Sequence, residues 1–257
     1  MRRFFLPPEE CTGKELHLLD QEAIHAARVL RVEPGEEVSV HDGAGSIIHC
    51  RVGSVRKPQV TLQALARTTT PREPFRLTLL TAIPKGGIFE EMIPPVVELG
   101  VTDLQPLHTT LGNVRLDAET AKAKLGKWNH IAVEAMKQCG IRWLPTLHAP
   151  VTLPQALSTR PAGELALGGS LDPDAPKPRQ AFASACTGMG TPPNTASIWI
   201  GPEGGFTDEE KQLMQRMGIQ MTSFGGNILR CATAAIAGIA LILQELRIAH
   251  PSPPPRS

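Results

Sequence analysis

The chain has 257 residues, 41% of them apolar, and a net charge of +1; this suits one large or two modest domains with real cores and excludes a disordered chain. The near-zero charge excludes a protein that grips long nucleic acid by bulk positive charge, so any such contact has to be local. No apolar run reaches membrane-spanning length, and the start "MRRFFLPPEE" lacks a secretory leader's apolar stretch, so a cytoplasmic location without a membrane partner is expected.

Residues 1–72 read as short strands with one helix. "EEVSVHDGAGSIIHCRVGSV" alternates apolar and polar residues around Asp42-Gly43, a hairpin signal, and "QVTLQALA" is a further strand. The helix covers about Gln21 to Leu30 and stops at Pro34 and Gly35. Together these predict a small β-barrel. "TTTPREP", Thr68 to Pro74, is too rich in Thr and Pro for a helix and reads as a linker.

The pattern then changes. "FRLTLLTAI" is a nearly continuous apolar strand, as expected when both faces of a sheet are covered. A helix leads to "VVELGV", the strand "DLQPLHT" follows, and a long helix spans about Ala118 to Cys139 and ends at Gly140. Next come "ELALGG", "SIWIGPEGG", a helix, "MTSFGG" and a last helix. Strands alternating with helices predict a mainly parallel α/β sheet over 73–257. Residues 170 to 196, rich in Pro, Gly, Ser and Thr, are expected to form a long surface excursion. The tail "HPSPPPRS", about 250–257, is expected to be disordered.

The five cysteines form no CxxC pair, and the eight histidines show no HExxH spacing, so neither a disulfide framework nor a metal site is expected.

Three strand ends carry glycines: Gly168 and Gly169, then Gly201-Pro202-Glu203-Gly204-Gly205-Phe206, then Gly225 and Gly226. Thr207 with Glu210 makes a capping box, so 201–206 turns a strand into a helix. In a parallel sheet such turns lie at the carboxyl ends of strands, where ligands bind. Glycines let a ligand approach the main chain, and Pro202 holds the bend. None of the three is a GxGxxG or a P-loop, so the shared pocket suits an adenine more than a triphosphate or dinucleotide. In the last helix, small residues such as Ala234 and Gly238 stand four apart; they suit either core packing or a close subunit interface.

"IGPEGGFTDEE" followed by "FGGNILRCATAA" resembles the signature of the 16S rRNA uracil-N3 methyltransferases, members of the SPOUT class of S-adenosylmethionine-dependent RNA methyltransferases. "MRRFF", "HAARVLRVEPGEEVSVHDGAG", "KGGIFEEMIPPVVELGVTDLQPL" and "EAMKQCGIRWLPTL" are similar to further blocks of that family, in the same order. The resemblance implies a PUA-like RNA-binding β-barrel over 1–72 and an α/β domain with a deep trefoil knot over 73–257. It implies S-adenosyl-L-methionine in the knot and a homodimer packed through the C-terminal helices. The implied partner is 16S rRNA of the small ribosomal subunit, and the implied product is 3-methyluracil. Carried over position by position, the cofactor residues would be Leu167, Gly168, Gly201, Glu203, Gly204, Gly205, Phe224, Gly225, Ile228, Leu229, Arg230, Thr233 and Ala234. Arg2, Arg3, Arg28 and Arg31 would face RNA.

The chain departs from the family's pattern at Gly87, Ile88, Pro94, Pro95, Thr110, Leu111, Asn227 and Ala232, mostly losing charge or hydrogen-bonding capacity. The paired prolines are expected to kink or restart their helix at Pro94. Methyl transfer to a ring nitrogen needs in-line positioning and loss of the N3 proton, and a cation would stabilise the uracil anion. Arg230 is the expected catalytic group; Glu203 is either a general base or a residue that only holds the loop. Two alternatives stand beside this reading: a SPOUT enzyme acting on another RNA, and a dimeric RNA-binding or ribosome-assembly protein without catalysis.

Overall fold

The computed structural model describes residues 1–56 and 58–251; the expected disordered tail lies, from Ser252 onward, outside the described residues. The chain divides into two compact units. The first comprises Met1–Arg72 together with Val133–Leu144, and the second comprises Glu73–Ala132 with the chain from Pro145 onward. The segment 133–144 was not visible as part of the first unit in the sequence, because its ties are long-range.

In the first unit, β1 (Arg2–Phe5), β2 (Glu15–Leu18), β3 (Glu37–His41), β4 (Ser46–Arg56) and β5 (Gln59–Thr69) form one sheet in the order β1-β3-β4-β5-β2. β1 runs parallel to β3, and the remaining pairs are antiparallel. The hairpin at Asp42-Gly43 is present: Asp42 Oδ1 accepts from the amides of Ala44 and Ser46, both at 2.8 Å. The expected helix begins as α1 (Asp20–Ile24) and continues as a π-helical turn over His25–Val29. Alternate residues of the strands, among them Phe4, Leu16, Leu18, Val38, Val40, Ile48 and Leu62, fill its core. Segment 133–144 is pinned to this unit by Lys137, which pairs with Glu22 at 2.7 Å, and by Trp143, whose indole N–H donates to Thr70 O at 3.0 Å. Burial disfavours the Lys137 charge, but the hydrogen bonds its ammonium donates to Glu134 and Glu22 outweigh that and hold its pKa above the ordinary lysine value.

The second unit is α/β. Its elements are β6 (Arg76–Ala82), α2 (Ile88–Leu99), β7 (Asp103–His108), α3 (Ala118–Cys139, the last turns of which belong to the first unit), β8 (Thr146–Leu147) and β9 (Val151–Thr152). There follow α4 (Leu153–Ser158), β10 (Leu165–Gly169), α5 (Pro178–Met189), β11 (Thr195–Ile200), α6 (Asp208–Arg216), β12 (Gln220–Thr222) and α7 (Cys231–Ala249). The sheet runs β12-β10-β11-β6-β7-β8, with β9 also on β7, and every pair is parallel.

Three sequence expectations need correction. The excursion at 170–196 contains the twelve-residue α5, which buries Ala181 and Phe182. Its signals were Pro178 in the first turn and Gly190 just past the end, a start and stop pair that composition alone obscures. The prolines Pro94 and Pro95 do not restart their helix: α2 runs across both. Losing two main-chain bonds costs about 3 kcal/mol or more, and burial of Phe89, Met92, Ile93, Val96 and Val97 offsets it. Finally, α7 is long and apolar enough to cross a membrane by length and composition. It instead buries Ala235, Gly238, Ile239, Ile242, Leu243 and Leu246 against α2, α5, β6 and β11, the behaviour of a core helix.

Candidate functional site

At the carboxyl ends of β10, β11 and β12, three loops converge on one cleft. Gly169, Ser170 and Leu171 line it from the first loop, Ile200, Gly201, Pro202, Glu203 and Gly205 from the second, and Phe224, Gly225, Asn227 and Leu229 from the third. Cys231 and Ala234 of α7 close the wall. The space between the loops is about 60 Å³, so a nucleoside-sized guest enters only if they part.

The central loop is a tight turn, with Gly205 N–H donating to Pro202 O at 2.8 Å. A Cβ on Gly201 would sit 2.9 Å from the Gly205 carbonyl carbon, and Gly205 has φ +71°, so both positions require glycine. Thr207 caps α6: its hydroxyl accepts from Glu210 N at 3.2 Å, while Glu210 Oε2 accepts from Thr207 N at 3.0 Å. Glu210 Oε1 also accepts from Thr110 N at 2.7 Å, which ties the loop after β7 to the central loop. The third loop is held by Ser223, whose hydroxyl donates to Gly225 O at 2.9 Å and whose amide donates to Pro176 O at 3.0 Å.

Of the residues expected at the cofactor, Gly201, Glu203, Gly205, Phe224, Gly225, Leu229 and Ala234 line the cleft. Leu167 is fully buried within β10, and Gly168 packs against Met221, Met214 and Ile219; the strand presents Gly169 and the two residues after it instead. Gly204 is exposed and sits beside Leu111, and it is not among the residues lining the cleft. Ile228 is 78% exposed, while Arg230 and Thr233 are exposed at the start of α7. Ser170, Leu171, Ile200 and Cys231, which also line the cleft, were not among the residues expected there. The strand's alternation was the available signal: a residue buried at 167 places the ligand-facing backbone beyond the strand end.

Cys231 lies 3.4 Å from Thr81 Oγ1, and burial, with the Glu203 charge adding to it, pushes its thiol up, so it stays protonated and unreactive. Gly238 is buried with Ile198 Cγ2 3.0 Å from where its Cβ would lie, so at that position the small-residue stripe serves core packing. Among the described residues there is no group of three His, Cys, Asp or Glu able to hold a metal ion.

In the first unit, Arg2 pairs with Glu36 at 2.5 Å, and Arg3 donates to the carbonyls of Lys137 and Gln138 at the end of α3. These two are occupied by intramolecular contacts. Arg28 and Arg31 are exposed.

The cleft fits S-adenosylmethionine in kind. Glycine main chain supplies hydrogen-bonding edges, Ile200, Leu229 and Phe224 supply apolar surface for a purine, and the Glu203 carboxylate offers a counter-charge to an ammonium or sulfonium.

Residues 71–243 match the family described as RNA methyltransferase domain, and 18–65 match the RNA methyltransferase PUA domain. The chain is 33% identical to the ribosomal RNA small subunit methyltransferase E of Synechocystis, over 93% of this chain and 76% of that one. Its fold matches the crystal structure of a ribosomal RNA small subunit methyltransferase E from Neisseria gonorrhoeae bound to S-adenosyl methionine, with TM-score 0.82, 30% identity and coverage of 95% and 98%. It also matches a methyltransferase of Legionella pneumophila with bound cofactor, with TM-score 0.83, 31% identity and coverage of 96% and 97%. By sequence and by fold, the chain belongs to the ribosomal RNA small subunit methyltransferase E family.

Proposed function

We propose that the chain is an S-adenosylmethionine-dependent methyltransferase acting on N3 of a uracil in 16S rRNA of the small ribosomal subunit, in the cytoplasm. The observation that carries this is the convergence of three glycine-bearing strand ends on one apolar-walled cleft. When bound there, the cofactor supplies an electrophilic methyl group.

The chain's own residues do the rest. The turn at Gly201–Gly205 holds main-chain groups in fixed directions, and Phe224 and Leu229 exclude water from the purine face. Arg230, exposed where α7 begins, supplies positive charge for a uracil losing its N3 proton. No covalent adduct at the ring is needed, in keeping with a buried, protonated Cys231. Asn227 sits on the cleft wall and donates or accepts hydrogen bonds without charge.

The same reading assigns RNA contact in the first unit to Arg28 and Arg31 and predicts a trefoil knot in the second. It also predicts a homodimer through α7, where Leu241 and Ile248 are exposed apolar residues. Mapping of small-subunit rRNA from cells lacking the gene tests the function. Loss of one 3-methyluridine, restored by the gene, is expected; an unchanged 3-methyluridine overturns the reading.

A further inference from the structure

Glu210 does more than a capping box requires. Such a box needs one oxygen of the carboxylate on the N-cap amide, and Glu210 Oε2 meets that need at Thr207. The other oxygen accepts from Thr110 N, on a loop one hundred positions earlier in the chain, at 2.7 Å. Glu210 is largely buried and both bonds are part-buried, so competition from water is reduced. From the other side, the Thr109 carbonyl accepts from Arg115 Nη2 at 2.9 Å and from Gly112 N at 3.1 Å, so the loop after β7 is held on both flanks. This sets Leu111 against the cofactor loop: a Cβ on Gly204 would meet Leu111 Cδ1 at 3.3 Å. Leu111 nevertheless remains 45% exposed, an apolar side chain beside Gly204, between the cleft-lining Glu203 and Gly205.

We propose that Glu210 is a positioning residue: by holding the Thr110 amide it fixes Leu111 as an apolar wall against which the face of the target nucleobase seats. The inference rests on the methyltransferase reading above. An exposed leucine fits a base's flat face and offers nothing to a phosphate.

Glu210→Ala, Glu210→Gln, Leu111→Ala and Thr207→Ala would be compared with the unaltered protein. Hydrogen exchange at the Thr110 amide, cofactor affinity by calorimetry, and KM and kcat on small ribosomal subunits would be read for each. In Glu210→Ala, exchange at Thr110 is expected to quicken by about tenfold or more, with KM for RNA up by about tenfold and cofactor affinity within about threefold. Glu210→Gln keeps one acceptor and falls between. Leu111→Ala raises KM by about tenfold or more with Thr110 still protected, and an unchanged KM in this variant would overturn the proposal. Thr207→Ala loses the hydroxyl cap but leaves both carboxylate bonds; its melting temperature falls while Thr110 protection and KM stay near those of the unaltered protein.

Equal KM effects in Glu210→Ala and Thr207→Ala would reduce Glu210 to a helix cap and overturn the proposal, as would unchanged exchange at Thr110. A parallel loss of cofactor affinity would assign Glu210 to the cofactor loop instead, and so would also overturn it. If the unaltered protein methylates no small-subunit RNA, the functional reading fails, while the exchange measurement still decides the clamp.

Discussion

The two ends of the parallel sheet in the second unit are built in opposite ways. At the carboxyl ends, glycine-rich turns leave a cleft of about 60 Å³ with apolar walls. At the amino ends lies a larger cavity of about 450 Å³, lined by Arg76, Thr78, Asp103, Gln105, His148, Arg160, Glu164 and Thr195 among others. Its charges are largely turned on one another. Asp103 accepts from Arg76 at 2.6 Å and lies 2.9 Å from His148 Nε2, while Arg160 Nε is 3.3 Å from Glu164. Gln105 donates to the carbonyls of Ala149 and Pro106. Volume therefore does not mark the site. The larger space is bordered by charged groups paired mostly with one another, although buried Arg160 Nη1 and Glu164 Oε2 find no hydrogen-bond partner, and the smaller one is bordered by main chain made accessible by missing side chains.

The largest expected effect comes from closing the glycine end. Gly201→Ala places a methyl 2.9 Å from backbone, where no flexible side chain can yield. Calorimetry should show cofactor affinity reduced by about a hundredfold, equivalent to nearly 3 kcal/mol. Binding unchanged by this substitution would break the contrast between the two ends. Arg230→Ala sharpens it by separating binding from chemistry: kcat at saturating substrate should fall by about a hundredfold with cofactor affinity little altered. Intact turnover would remove Arg230 from the mechanism.

The amino end predicts a stability effect instead. Burial pushes the Asp103 carboxyl up, but hydrogen bonds from His148 and Arg76, with the Arg76 charge, outweigh it and hold the pKa at about 2. The folded value lies below the ordinary 3.8, so the contribution is fully present above that pH and is lost as pH falls through about 2. Because Arg76 is half exposed, the amount is on the order of 1–2 kcal/mol. Asp103→Asn should lower stability at pH 7 by about that much, flatten the acid limb of a denaturation series, and leave cofactor affinity untouched. A change in cofactor affinity would mean that the two ends communicate.

The same contrast explains what was legible in the sequence. The hairpin at Asp42-Gly43, the helix to Cys139, the parallel α/β pattern and the capping box at Thr207 and Glu210 are local signals, and the structure contains each. The glycine turns were readable because missing side chains are written in the sequence itself. The charged cavity was not, since Arg76, Asp103 and His148 meet only through strand pairing. Nor was the second bond of Glu210, which spans one hundred positions. Strand-end register was less legible: Leu167 and Gly168 were expected at the ligand, while the lining of the cleft runs from Gly169 through Leu171. The expected restart at Pro94 does not occur because helix propensity is a weak prior against five buried apolar neighbours.

The smallest expected effect concerns the rim. Leu171 is 60% exposed and Ile228 78% exposed, on the first and third loops. Neither is needed to fold the unit, and exposed apolar side chains at the edge of a narrow cleft gain burial only when a guest is present. Leu171→Ala and Ile228→Ala should each leave the melting temperature unchanged and weaken cofactor affinity by a few-fold, about 1 kcal/mol or less at roughly 25 cal/mol per Å² of apolar surface. The two effects should add if the loops close independently over the ligand, and fall short of additivity if the loops close as one body. A larger loss of affinity than in Gly201→Ala would reverse the order of importance, making side-chain closure rather than open main chain the basis of recognition.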